Sequence, residues 1–124
     1  MTLATDIAYQ GVESWELQQQ SIAKSQLNHN PSETLTAAGA ASVWGTTLLD
    51  SSGAAVNITL ANGELYGQKK TIVMIEASNS STVTVAQHVT SNPEVFTFAA
   101  AGDSLVLMWD GTDWSTVANN GAAV

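Results

Sequence analysis

The residues able to do chemistry in this chain are few, and their spacing does not assemble a reaction centre. His29 and His88 are the only imidazoles, and there is no cysteine. A thiol nucleophile, a thiolate zinc site and disulfides are thereby excluded. Neither histidine has a partner at a recognisable interval, and a general base needs one to position it. Both are read as surface or turn residues: His88 follows a strand, and His29 sits in the loop cluster Asn28-His29-Asn30-Pro31. Serine is plentiful, but no Gly-x-Ser-x-Gly elbow is present. Gly39, Gly45 and Gly53 are isolated and are not followed by Lys-Ser/Thr, so no phosphate loop is expected. Asp103, Asp110 and Asp113 gather around one strand. Calcium asks for about six to eight oxygens, the spacing is not that of an EF-hand, and Asp and Gly serve a turn without any metal. The expectation is no catalytic residue, no metal and no cofactor, in a protein that is not an enzyme.

The tryptophans say more. Trp109 and Trp114 flank Asp110-Gly111-Thr112-Asp113, where they can pair across a hairpin or cap its end. Trp44 lies in Ser42-Val43-Trp44-Gly45. An exposed indole stacks on sugars, whereas a buried one packs a core or a subunit contact. Packing is the commoner use, so Trp44, Leu105, Leu107, Trp109 and Trp114 are assigned to core or oligomer packing. Sugar stacking stands as the alternative.

Charge narrows the partners. Eleven acids face three lysines and no arginine, giving −8 at pH 7 in 124 residues. A nucleic-acid binder must neutralise phosphates, so neither DNA nor RNA is expected as a ligand. Anionic membranes are disfavoured by the same balance, and no run approaches the roughly 20 apolar residues that a span requires. Met1 to Gln10 lack the basic and apolar regions of a secretory leader. The chain reads as a complete cytosolic product, with a cysteine-free composition suited to later work outside the cell.

Two regions must position these residues. The composition shifts near Pro31, giving an N-terminal arm (1–33) and a β domain (34–124). Val12, Trp15, Ile22 and Leu27 fall on a thin helical stripe that suits one short helix, so the segment is read as a mobile or partner-docked arm, with a helix packed on its own domain as the alternative. Beyond Pro31 the period becomes two. Val56, Ile58 and Leu60 alternate with Asn57, Thr59 and Ala61, Val83 and Val85 with Thr82 and Thr84, and Phe96 and Phe98 with Val95 and Thr97. The runs 71–75 and 105–109 are apolar on both faces, as in central strands covered on both sides. Turn clusters at Asn62-Gly63, Ser78-Asn79-Ser80-Ser81, Ala101-Gly102-Asp103 and Asp110–Asp113 fit hairpins. About eight short strands with these turns predict an all-β fold, an antiparallel β-sandwich or jelly roll.

The second half of the chain resembles a known class. The runs Gly-Gln-Lys-Lys-Thr-Ile-Val-Met-Ile (67–75), Ser-Thr-Val-Thr-Val (81–85) and Ala-Gly-Asp-Ser-Leu-Val-Leu-Met-Trp-Asp-Gly-Thr-Asp-Trp (101–114) resemble a β module of tailed-bacteriophage virion proteins. Leu35-Thr36-Ala37-Ala38-Gly39 and Thr46-Thr47-Leu48-Leu49 also look like that class, so the likeness covers about residues 35–118 and leaves out the arm. Such modules occur in head decoration proteins and in tail-fibre or spike tips, usually as homotrimers. The resemblance implies a structural protein of the virion, located on the capsid surface. Its implied partners are the major capsid protein of the same virion and two further copies of itself. Some thirty residues before the β domain suit an anchoring arm and are too few for a fibre shaft, which ranks capsid decoration (cement) first. In that reading Val12, Trp15, Ile22 and Leu27 anchor the arm to the capsid. The alternatives are a receptor-binding fibre tip and a carbohydrate-binding β-sandwich module.

Overall fold

Short alternating runs divided by Gly, Asn, Ser and Asp make strands too brief to stand alone, so each must find neighbours. The computed structural model describes residues 31–124. Over that range the strands are β1 (Ser32–Leu35), β2 (Gly39–Ala40), β3 (Gly45–Asp50), β4 (Ile58–Leu60), β5 (Lys69–Glu76), β6 (Ser81–Val85), β7 (Glu94–Phe98), β8 (Ser104–Trp109) and β9 (Trp114–Asn120). Among the described residues there is no helix. The strands form a five-stranded sheet, β1-β3-β5-β8-β9, and a four-stranded sheet, β2-β4-β6-β7. The expected helix of the arm, with Val12, Trp15, Ile22 and Leu27, lies outside the described residues. So does His29. The β region already includes Ser32 and Glu33, which belong to β1.

The first six strands alternate between the sheets. β1 runs parallel to β3, and β3 to β5; β2 runs parallel to β4, and β4 to β6. The chain thus advances as a coil that lays one strand on each sheet per turn. Thr46 pairs with Thr71 and Ile58 with Val83, an offset of 25 residues in both sheets. After β6 the direction reverses, and β7, β8 and β9 add antiparallel to β6, β5 and β8. The C-terminal residues then bridge both sheets, Gly121 against Ser104 and Ala123 against Thr97.

The all-β expectation holds, but wholly antiparallel pairing does not: both sheets are mixed. Turn residues report that the chain bends, not which sheet receives the next strand. Of the four clusters read as hairpins, only Asp110–Asp113 joins neighbours within one sheet, β8 and β9. The other three belong to connections between strands of different sheets. Parallel neighbours need a long crossover, and here the crossover is a strand of the opposite sheet.

Period-two alternation sends one face of each sheet into a shared core. Leu49, Ile72, Met74, Leu105 and Leu107 come from the five-stranded sheet, and Ile58, Leu60, Val83, Val85, Phe96 and Phe98 from the other. Trp114 closes the end of this core, fully buried, with its indole N–H donated to the Ala61 carbonyl at 2.8 Å. Its ring meets that of Trp109 edge to face, 5.4 Å between centroids at 63°. Gly63 lies against the Trp109 ring so closely that any Cβ there would collide with it. Truncating Trp114 to alanine should therefore cost about 3–5 kcal/mol in urea unfolding, the range for a buried aromatic. Gly63→Ala should also lower the midpoint, and an unchanged curve for either would show that this end of the core is loosely packed.

Candidate functional site

Three features stand out from the buried core. The first is the end of the five-stranded sheet where β3 and β5 begin and β8 ends. The short loop before β5 is organised by Gln68, which is almost wholly buried. Its Oε1 accepts the N–H groups of Glu64 (2.7 Å) and Leu65 (3.0 Å), and its Nε2 donates to the Val43 carbonyl (2.6 Å). Trp44 lies beside this loop, 37% exposed, and its indole N–H donates to Glu64 Oε2 at 3.1 Å. Across the β8–β9 hairpin, Asp110 accepts N–H groups from Asp113 (2.7 Å) and Thr112 (2.9 Å). Those bonds hold its carboxyl below the ordinary aspartate pKa.

Of the residues assigned to packing, Leu105, Leu107, Trp109 and Trp114 are buried within the single chain. Trp44 is not part of that core. The structure brings it to the same end of the sheet as the Trp109–Trp114 pair, but on the surface.

The second feature is the outward face of the five-stranded sheet. Its registers align two rows across the strands, Thr34–Leu48–Val73–Ser104 and Ser32–Thr46–Thr71–Val106–Ala118. Neither row holds an ionisable side chain. Beside them stand Met108, half-buried, and Ile75, which is 42% exposed. The runs read as two-sided strands are therefore buried on one face and only partly covered on the other.

The third feature is His88, read from the sequence as a surface or turn residue, of which only the surface option fails. It lies in the β6–β7 loop, yet it is 5% exposed. Its Nδ1 is 2.8 Å from Thr90 Oγ1 and its Nε2 is 2.9 Å from Thr116 Oγ1. The Thr90 hydroxyl donates to Glu94 Oε2 at 3.0 Å. The Thr90 hydroxyl thus links the imidazole to the Glu94 carboxylate, while the other ring nitrogen faces the Thr116 hydroxyl. The Thr90 N–H also lies 3.2 Å from Nδ1. Phe96 packs edge-on against the imidazole, 5.6 Å between centroids. These groups border a cleft of about 480 Å³ that Asn119 and Val124 also line. The chain of bonds ties the β6–β7 loop to β9, beside backbone bonds from Val89 N–H to Trp114 O (3.0 Å) and from Trp114 N–H to Gln87 O (2.9 Å). Sequence spacing gave no hint of it, because Thr116 is 28 positions away.

Lys70 is a further buried ionisable group that sequence reading passed over. Its side chain is fully enclosed, and Nζ donates to the Trp44 carbonyl at 3.0 Å. Burial lowers its pKa to about 8 against the opposing pull of the Glu33 carboxylate. Glu33 is itself fixed by the Ser42 N–H and the Thr47 hydroxyl, both at 2.8 Å. The signal was in the phase of β5: Lys70 alternates with Ile72 and Met74, so it points inward with them. Among the described residues, no three of His, Cys, Asp and Glu converge as metal ligands would.

No protein-family model and no curated protein matches the chain.

Two outcomes follow from the buried polar groups. Folded Lys70 releases its proton near pH 8, and unfolded Lys70 near 10.5. Between those values the unfolded chain binds the extra proton, so this residue makes the protein more stable as pH rises; below pH 8 the cost of the buried charge is constant. The melting temperature of the native protein should gain on that of Lys70→Met from pH 7.5 to 10, and a constant gap would refute the assignment. For the histidine clamp, His88→Ala should lose about 1–3 kcal/mol by denaturant unfolding, because two partner hydroxyls are left short of a bond.

Proposed function

We propose that this chain is a structural protein of a tailed-phage virion, a capsid decoration (cement) protein whose β domain forms a homotrimer on the lattice of the major capsid protein. The observation that carries this reading is the outward face of the five-stranded sheet. An acidic chain at −8 repels its own copies, so self-association needs a surface where carboxylates do not meet. The two uncharged rows, with Met108 and Ile75 beside them, supply such a surface. Symmetric assembly through one repeated patch is the usual route for small soluble oligomers. The resemblance of residues 35–118 to virion β modules points the same way.

In this reading the two sheets that share one core form a sandwich. It is preferred to a jelly roll because four of the strand pairings are parallel. The protein acts by packing, without catalysis or a cofactor, and residues 1–30 anchor it to the capsid. Solvent-facing aromatics in the 109–114 loop would favour the fibre-tip alternative. Trp109 and Trp114 are turned into the core instead.

Light scattering should give the mass of a trimer for the purified protein. Val73→Lys combined with Val106→Lys should give a folded monomer, because both side chains lie on the outward face of central strands. Removing residues 1–30 should leave the trimer intact but abolish co-sedimentation with undecorated heads. A monomeric native protein, or full decoration by the shortened chain, would overturn the corresponding part of the proposal.

A further inference from the structure

The loop before β5 holds two large apolar side chains out in solvent, Leu65 at 62% and Tyr66 at 82% exposure. Exposed apolar residues are ordinary when scattered. These two are adjacent, and the backbone that carries them is fixed. Beneath them the buried Gln68 side chain spends its amide on the Glu64 and Leu65 N–H groups and on the Val43 carbonyl. Gly67 takes a left-handed φ of 82° that a larger residue would resist, and its N–H donates to Trp109 O at 2.8 Å. The Trp109 N–H returns a bond to Gln68 O, also at 2.8 Å. The Tyr66 ring extends over the β8–β9 hairpin at Gly111, where an added Cβ would lie 3.6 Å from Cδ2. Loop and hairpin thus form one platform whose posture is set before anything binds, which spares the ordering cost of association.

Acids outnumber cations on this platform. Glu64 precedes the apolar pair in the chain, Asp110 and Asp113 belong to the hairpin that Tyr66 overhangs, and Lys69 at the first position of β5 is the neighbouring cation. Glu64 is bonded to a neutral indole, so no cation partners it there, and the backbone N–H groups bonded to Asp110 favour its charged form. Nucleic acid and anionic lipid are repelled by such a rim. A protein surface with an apolar pocket ringed by cations fits it, and a rigid tyrosine is a favoured anchor for such a pocket.

We infer that residues 64–66, with the hairpin 110–113, are a docking site for a protein partner that offers an apolar pocket ringed by lysine or arginine. The site is distinct from the outward sheet face, so it goes beyond the homotrimer reading and does not depend on it.

The test is a selection from a random dodecapeptide display library on the immobilised full-length protein, followed by binding of the synthesised winners. Enriched peptides should carry a large apolar residue flanked by Lys or Arg, and their affinity should fall as salt is raised. Tyr66→Ala and Leu65→Ser should each weaken them by about tenfold or more, as for interface anchors. Glu64→Gln with Asp113→Asn should weaken them by a smaller factor. The thermal unfolding of the apolar variants should match that of the native protein, since both side chains stand in solvent. Peptides that bind Tyr66→Ala as well as the native chain would overturn the inference, as would a selection without cationic enrichment. Salt-insensitive binding to a neutral glycan array, lost in Tyr66→Ala, would replace the protein partner by a sugar. None of these outcomes bears on the oligomeric state, so the homotrimer reading stands or falls separately.

Discussion

A chain that passes repeatedly from one sheet to the other must satisfy backbone groups at every crossing, because there the ladder hydrogen bonds stop while the core continues. An unpaired buried polar group costs about 1–3 kcal/mol, so unsatisfied crossings would erase the gain from the apolar interior. Here, side chains from the adjacent turn of the coil answer the need. The Ser51 hydroxyl reaches the carbonyls of Glu76 (2.9 Å) and Asn79 (2.6 Å), and Asn79 Nδ2 returns a bond to Ser51 O (2.8 Å). Ser81 Oγ accepts the Val56 N–H (2.8 Å), and Asn57 Oδ1 accepts that of Thr82 (3.0 Å). Asp103 Oδ2 takes the N–H groups of Ala99 and Ala100, each at 2.9 Å. Among the described residues no buried side-chain nitrogen or oxygen is left without a partner. Ser51, Ser81, Asn57 and Asn79 are uncharged polar residues that meet this demand in a chain with few charges.

The same solution shapes the surfaces. Stacking successive turns aligns their strands in register, so outward residues of β1, β3, β5 and β8 fall into rows. Gln68 performs the crossing duty at the start of β5, and in doing so stiffens the loop that displays Leu65 and Tyr66. At the late end of the coil, the antiparallel strands and the His88 clamp hold the β6–β7 loop against β9. Each candidate surface is thus a by-product of how the core is closed.

Much of the core was legible from period two alone. Ile58, Leu60, Val83, Val85, Phe96 and Phe98 are buried as their alternation required. The parallel coil also left a trace that strand-by-strand reading overlooks: Ile58-Thr59-Leu60-Ala61 recurs as Val83-Thr84-Val85-Ala86 at the structural offset of 25 residues. A short β-branched repeat at that spacing signals stacked strands, because equivalent positions in successive turns meet the same neighbours. His88 was not legible. Its partners Thr90, Glu94 and Thr116 are common residue types, and only the antiparallel return of β9 brings Thr116 to the ring.

The sequence by itself determined that the chain is β-stranded, which face of most strands is apolar, where it turns, and that its net charge opposes anionic partners. These properties are local or additive, so they can be read along the chain. Only the tertiary structure decided that alternate strands pair in parallel, β3 with β5 and β4 with β6 at an offset of 25 residues, that Trp109 and Trp114 turn inward while Trp44 stays at the surface, and that Lys70 and His88 are enclosed. Those outcomes depend on which distant segments share a sheet. That choice is set by the joint demand to bury one continuous core and to pair every backbone group at its rim, and no single segment carries that information.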